Sequence, residues 1–291
     1  MHLKKLLVFL LLAGASACQK KVADDIIDVE GFESMPVSKS VIPGFLDEAS
    51  GIADSKTNPG YIWVQQDSGN PNNIALLSHD GSFLKNIHIK TAINRDWEDM
   101  AIANGPVTGA NYIYLADIGD NSLIYAQYCI YRFAEPGATT DVVSECDKIN
   151  FQYPDGAHNA EAILVDNRDI YIITKQDSPS KIYKLSYPQN TSSVNTAIFC
   201  GTLSINDVTA AAFSPDGKEI MVKTYSNIYQ WKLKMGTGII NGLAQTPVNI
   251  SYQFEPLGEA ICFKNDNSGF FTLSERPSVI AAVNLNFYKR K

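Results

Sequence analysis

Acidic side chains recur along this 291-residue chain at Glu48, Glu98, Glu161 and Glu259, with Thr209 holding the same place in a fifth unit. An apolar residue follows each by four positions, at Ile52, Ile102, Val165, Phe213 and Phe263. If folding gathered these carboxyl groups into one narrow space, mutual repulsion and lost hydration would oppose their ionisation unless something compensated them. A hard cation is the simplest compensation, because Ca²⁺ takes about six to eight oxygen ligands in flexible geometry. The sequence therefore predicts a calcium site made from Glu48, Glu98, Glu161, Thr209 and Glu259. The competing reading is architectural, with the same carboxylates accepting backbone N–H bonds and trapped water.

Those residues could converge only if each opens the inner strand of a repeated sheet unit. Their spacings are 50, 63, 48 and 50 residues, the period of propeller blades. Each unit repeats short β-branched and aromatic runs separated by Asx-Gly, Pro and Ser turns, an all-β pattern. The reading is a five-bladed β-propeller of four-stranded antiparallel blades over residues 36–291, with a two-sheet sandwich as the alternative. The fifth unit offers only three strands, Ala260 to Phe263, Phe270 to Leu273 and Val279 to Leu285. The run from Met35 to Ile42 is predicted to supply the fourth and close the ring, which removes free sheet edges.

In such a ring the second strand of each blade returns to the face where the inner strands begin. That places Asp67, Asp117, Asp120, Lys175, Lys223, Glu275 and Arg276 around the mouth, with Trp97 beside them, as the predicted ligand-binding set. Acids interleaved with Lys and Arg suit a phosphorylated or other small polar ligand; singly, each is also an ordinary solvated loop residue. Asp117 and His158 are the candidates for proton transfer, against the plainer reading of His158 as surface. Trp97 offers a stacking face for a ligand or, alternatively, a wedge between blades. No G-x-S-x-G, H-E-x-x-H, P-loop or G-x-G-x-x-G occurs.

The net charge of −7, with no basic stripe in the folded part, predicts no nucleic-acid partner. Lys4 and Lys5, the apolar run Leu6 to Ala13, and Gly14-Ala15-Ser16-Ala17-Cys18 read as a lipoprotein signal peptide over residues 1–18, lipidated at Cys18. Residues 19–35 then form a polar tether. The chain is expected to be exported and anchored in the bacterial cell envelope through acyl chains alone, at the outer membrane, as a monomer. Cys129 and Cys146 fall on neighbouring predicted strands, where a disulfide and a reduced pair are both open.

Three stretches resemble a family of secreted bacterial β-propeller proteins of unassigned activity: Asp96-Trp97-Glu98-Asp99-Met100-Ala101, Ala116-Asp117-Ile118-Gly119-Asp120-Asn121, and Tyr153 through Ala162. That resemblance implies an architecture and no reaction. The chain is also remotely similar to the calcium-activated nucleotidases, or apyrases, five-bladed propellers whose inner strands offer Glu and Ser to one axial Ca²⁺. The similarity implies calcium-ligand roles for Glu98, Glu161, Thr209 and Glu259, with Glu48 standing where that family has Ser. Two functions follow as expectations. One is a lipoprotein that binds a small polar ligand or a protein partner at a calcium-bearing channel mouth. The other is a calcium-dependent phosphohydrolase, nucleotidase- or phytase-like.

Overall fold

In the computed structural model, which describes residues 31–277 and 283–291, the chain forms five separate antiparallel-cored sheets in chain order. Their inner strands are Ala49–Asp54, Trp97–Asn104, Ala160–Asp166, Val208–Phe213 and Gly258–Phe263. Each packs against the inner strands of the neighbouring blades, and the first lies against the fifth, so the sheets close into a five-bladed β-propeller. The apolar clusters lie chiefly between successive blades; one joins Trp63 and Leu76 of blade 1 to Trp97, Leu115 and Phe133 of blade 2.

Closure comes from both ends of the chain. Val37–Val41 pairs antiparallel along Val283–Lys289 of blade 5, from Val37 opposite Phe287 to Val41 opposite Val283. Val41 is buried, whereas Val37 to Ser40 are exposed, as an outermost strand requires. Ring closure therefore follows the expected scheme, although residues 279–282 of the predicted last strand lie outside the described residues. The compact unit begins earlier than the sequence suggests, at Gly31. Phe32, read as tether, is 5% exposed, meets Phe270 edge-on at 4.9 Å and bridges to Arg290. The signal peptide, Cys18 and tether residues 19–30 lie outside the described residues.

Two blades exceed the predicted four strands. Val142–Val143 adds a parallel fifth strand beside Phe83–Ile89 of blade 1, and Asn195–Thr196 adds one beside Asp147–Gln152 of blade 2. Each comes from the following blade, so these short strands lace neighbours together. A buried Glu135 does the same from blade 2, accepting hydrogen bonds from Ser55 Oγ, the Lys56 and Thr57 amides, Thr57 Oγ1 and Trp63 Nε1 of blade 1. All four cysteines of the described residues are free. Register explains why Cys129 and Cys146 stay apart: Cys129 stands opposite Asn150, and Cys146 precedes the Asp147–Arg132 pair at the other end of the ladder.

Candidate functional site

Every inner strand carries a β-bulge at the same place. The ladder to the second strand skips one residue between Ala49 and Gly51, Trp97 and Asp99, Ala160 and Ala162, Val208 and Ala210, and Gly258 and Ala260. The extra residues are Ser50, Glu98, Glu161, Thr209 and Glu259. A bulge re-aims the residue it inserts, so five side chains are offered to the start of the channel in place of the cross-strand partner. In blade 1 the repeated position is therefore Ser50, and the equivalence assigned to Glu48 is corrected. Glu48 precedes the strand, exposed, and accepts a hydrogen bond from Asn70 Nδ2. Small residues after the bulge, Gly51, Ala162, Ala210 and Ala260, are the signal that would have fixed the alignment. The four-residue spacing to an apolar partner misled it.

The five bulges divide into two kinds. Ser50 Oγ donates to the carbonyl of Trp97 at 3.0 Å, and Thr209 Oγ1 donates to the carbonyl of Gly258 at 3.2 Å. Each thus binds the residue just before the next blade's bulge. The three glutamates project into one shared space instead, and all are buried. Burial raises the Glu98 pKa well above the ordinary carboxylate value, and the charges of Glu161, Asp67, Asp96 and Glu259 add to it. Burial likewise pushes Glu161 up to about 8, against the pull of Lys175. One carboxylate oxygen of Glu161 accepts from Lys175 Nζ at 2.5 Å; the other, Oε2, is buried with no hydrogen-bond partner among the described residues.

A second, outer ring surrounds the first. The ladder places Gln66, Asp117, Thr174, Thr224 and Ser274 at the ends of the second strands, so the residues next in chain, Asp67, Ile118, Lys175, Tyr225 and Glu275, occupy equivalent exits. Four of the five carry polar side chains toward the mouth. Oxygens of Asp67, Asp96 and Glu98 lie within 4.8 Å of one another. Burial lifts Asp67 to about 6, with the Asp96 and Glu48 charges adding, and lifts Glu275 to about 8, with Glu259 and Asp67 adding. Gly119 backs this cluster closely: a Cβ there would collide with Glu98 Oε1 and Asp96 Oδ2. Opposite the acids, Lys175 Nζ donates to Tyr225 Oη at 2.7 Å, and that hydroxyl donates to Glu259 Oε1 at 2.7 Å.

This register accounts for the predicted rim residues that lie elsewhere. Asp117 and Lys223 fall one and two residues before their blades' exits. Asp117 is buried, accepts the Asp96 amide and faces Arg95 Nε at 3.6 Å. Lys223 is fully buried beneath Gly258, with Glu255 Oε2 at 3.7 Å, and burial lowers its pKa against the pull of Glu255. Asp120 commits its carboxylate to the Ile124 and Tyr125 amides and Tyr128 Oη, shaping its own loop. Trp97 is fully buried between blades 1 and 2, its indole N–H on the Ile93 carbonyl, so its ring offers no stacking face at the mouth. Arg276 pairs with Asp47 at 2.6 Å. His158 is 6% exposed, with Nδ1 on Asp177 and Nε2 near Asp155 and Tyr183 Oη, so both ring nitrogens are engaged.

Asp99 is a functional carboxyl that residue type and spacing do not single out. It is fully buried, and its oxygens accept the Met100 and Ile163 amides at 2.8 Å each, with the Ala211 amide also bonded to it. These three amides stand two residues beyond the bulges of blades 2, 3 and 4. One carboxylate thus ties three inner strands together just beneath the ring. Beyond it, a cavity of about 280 Å³ opens at the far end of the axis, lined by residues of all five inner strands, Ile52, Ile102, Leu164, Phe213 and Ile261 among them.

No family model and no curated protein matches this chain. Among solved structures it is similar to that of U3-55K, at 8% identity over 82% of this chain and 67% of the other, with a TM-score of 0.39. So loose a superposition adds nothing to the five-bladed topology that the sheets define directly. No helix among the described residues is long and apolar enough to cross a membrane.

Proposed function

We propose that the channel mouth binds a hard divalent cation of the calcium class and, with it, a small polar or phosphorylated ligand. Glu98, Glu161 and Glu259 would be the ring donors, with Asp67, Asp96, Glu275 and Glu48 on the rim. The observation that carries this reading is the buried, unpartnered Oε2 of Glu161 in a basin where burial and like charge already oppose ionisation. A buried polar atom without a partner is costly, and an all-oxygen donor set suits Ca²⁺. Gly119, which leaves room against Glu98 and Asp96, fits the same purpose. The amino-terminal sequence supports export and lipid anchoring at Cys18, which would hold this mouth at the cell envelope.

Calcium titration by calorimetry, on the wild type beside Glu98→Ala and Glu161→Ala, tests the reading. Saturable binding that each change weakens at least about tenfold is expected. Equal affinity in all three proteins, or no binding in any, would sink it.

A second reading, cation-dependent hydrolysis of phosphoesters or phosphoanhydrides, is favoured by the ring order Ser50, Glu98, Glu161, Thr209, Glu259, which mixes hydroxyl and carboxylate as the calcium-activated nucleotidases do. Asp117 and His158 are already engaged, so a basin carboxylate would have to accept the proton of the attacking water. Calcium-dependent phosphate release from nucleotides that disappears in Glu98→Ala would support this second reading. No release above background would leave binding alone.

A further inference from the structure

The proposed cation site contains its own competitor. Lys175 is the one exit-ring residue that brings a positive charge into the basin, and its ammonium reaches past the rim to Glu161 Oε1 at 2.5 Å. It also donates to Tyr225 Oη, which in turn donates to Glu259 Oε1. Lys175 and Tyr225 thus join the ring carboxylates of blades 3 and 5 across blade 4, where the bulge is the short Thr209. The acids on the other side of the mouth, Asp67, Asp96 and Glu98, bring their own oxygens within 4.8 Å of one another.

We infer that Lys175 is a tethered counter-ion that occupies the cation's place on Glu161, and that cation binding releases it to the rim as an anion-binding group. The inference rests on the cation reading above and adds an order of events, cation first and anionic ligand second. Its physical basis is that a carboxylate cannot give the same oxygen fully to an ammonium and to a divalent ion, because the two positive charges repel at that distance. Glu161 Oε2, unpartnered beside the paired Oε1, is the atom through which the exchange would begin. Once displaced, Lys175 lies beside the site, where one ammonium and one cation together suit a phosphate or carboxylate. Tyr225, relieved of its donor, keeps its bond to Glu259 and marks the boundary of the exchange.

Two measurements test this. Calcium affinity is compared in wild type, Lys175→Met and Tyr225→Phe. Removal of a competing ammonium should tighten binding in Lys175→Met by about tenfold or more, whereas Tyr225→Phe, which loosens one of the two Lys175 contacts, should tighten it less. Unchanged or weaker binding in Lys175→Met, with the wild type still binding, overturns the inference and leaves the cation site standing. Absence of binding in every protein overturns both. The second measurement needs no variant: acylation of Lys175 by a water-soluble amine reagent, followed by mass spectrometry, should accelerate several-fold when calcium is added. Equal rates with and without calcium would contradict release.

Discussion

Ser50 and Thr209 occupy the same backbone irregularity as Glu98, Glu161 and Glu259, yet the two groups do different work. A hydroxyl on a short side chain reaches only the adjacent blade, and each donates to the carbonyl preceding the next bulge. A glutamate at that position overreaches the neighbouring strand and delivers its carboxyl to the channel. One backbone motif thus makes a joint between blades or places a carboxyl in a shared basin, and side-chain length and charge decide which. Around the ring the order is hydroxyl, acid, acid, hydroxyl, acid, so Glu259 has a hydroxyl position on both sides, whereas Glu98 and Glu161 adjoin each other.

Both kinds depend on closure of the ring, and its loss should have the largest effect. Deletion of residues 31–41 removes Phe32 and the strand that pairs with Val283–Lys289. It should abolish cooperative thermal unfolding by circular dichroism, because blade 5 would present an open edge. A truncated protein that melts as the full chain does would deny that the ring is closed in this way.

Converting one kind into the other comes next. Glu98→Ser should lower calcium affinity at least about tenfold while raising the melting temperature in chelator, since it removes a buried carboxyl whose ionisation lost hydration and neighbouring acids oppose. A melting temperature that falls in chelator would mean that Glu98 braces the ring as Ser50 does.

The acid kind also predicts a pH dependence of stability. Glu275 stands near 8 in the folded chain against 4.5 when unperturbed, and Asp67 near 6 against 3.8. The folded state therefore keeps protons that the unfolded state has released, so stability in chelator should be greatest at acid pH and decline as pH rises from about 4 to about 8. Calcium should restore it, most strongly at the upper end of that window. A melting temperature independent of pH across the window, or rising through it, would contradict the carboxylate basin.

The smallest effects belong to the joints. Thr209→Val removes one buried hydrogen bond between blades, a loss of about 1 kcal/mol, and Ser50→Ala removes such a joint together with the bond from Gln65 Nε2, a loss of about 2 kcal/mol. Chemical denaturation should show these losses with calcium affinity unchanged within about twofold. A substantial loss of affinity in either variant would make the hydroxyls donors to the site.

Much of this was legible in the sequence. The near-50-residue period, the missing fourth strand of the fifth unit and its replacement from the amino terminus are long-range regularities that pattern alone can carry. What pattern could not carry was the bulge. An extra residue in the inner strand shifts every later side chain by one, so counting in twos or fours from an acid leads to Glu48 and away from Ser50. The rim suffered the same error in the second strands: Asp67, Lys175 and Glu275 sit at the exits, whereas Asp117 and Lys223, one and two residues earlier, are buried in the ladder region. Nothing in the sequence marks Asp99, because two of its partners are backbone amides, those of Ile163 and Ala211, on strands far along the chain, and amides leave no mark in a sequence.

Diffraction from a crystal of this protein soaked in calcium, or in a lanthanide as its heavier stand-in, would show whether the ring carboxylates hold a cation. An anomalous peak should appear at the start of the channel, bounded by the carboxyl oxygens of Glu98, Glu161 and Glu259. Lys175 Nζ should then lie beyond hydrogen-bonding reach of Glu161. A peak only elsewhere on the molecule, or none while Lys175 still holds Glu161 at millimolar cation, would contradict it.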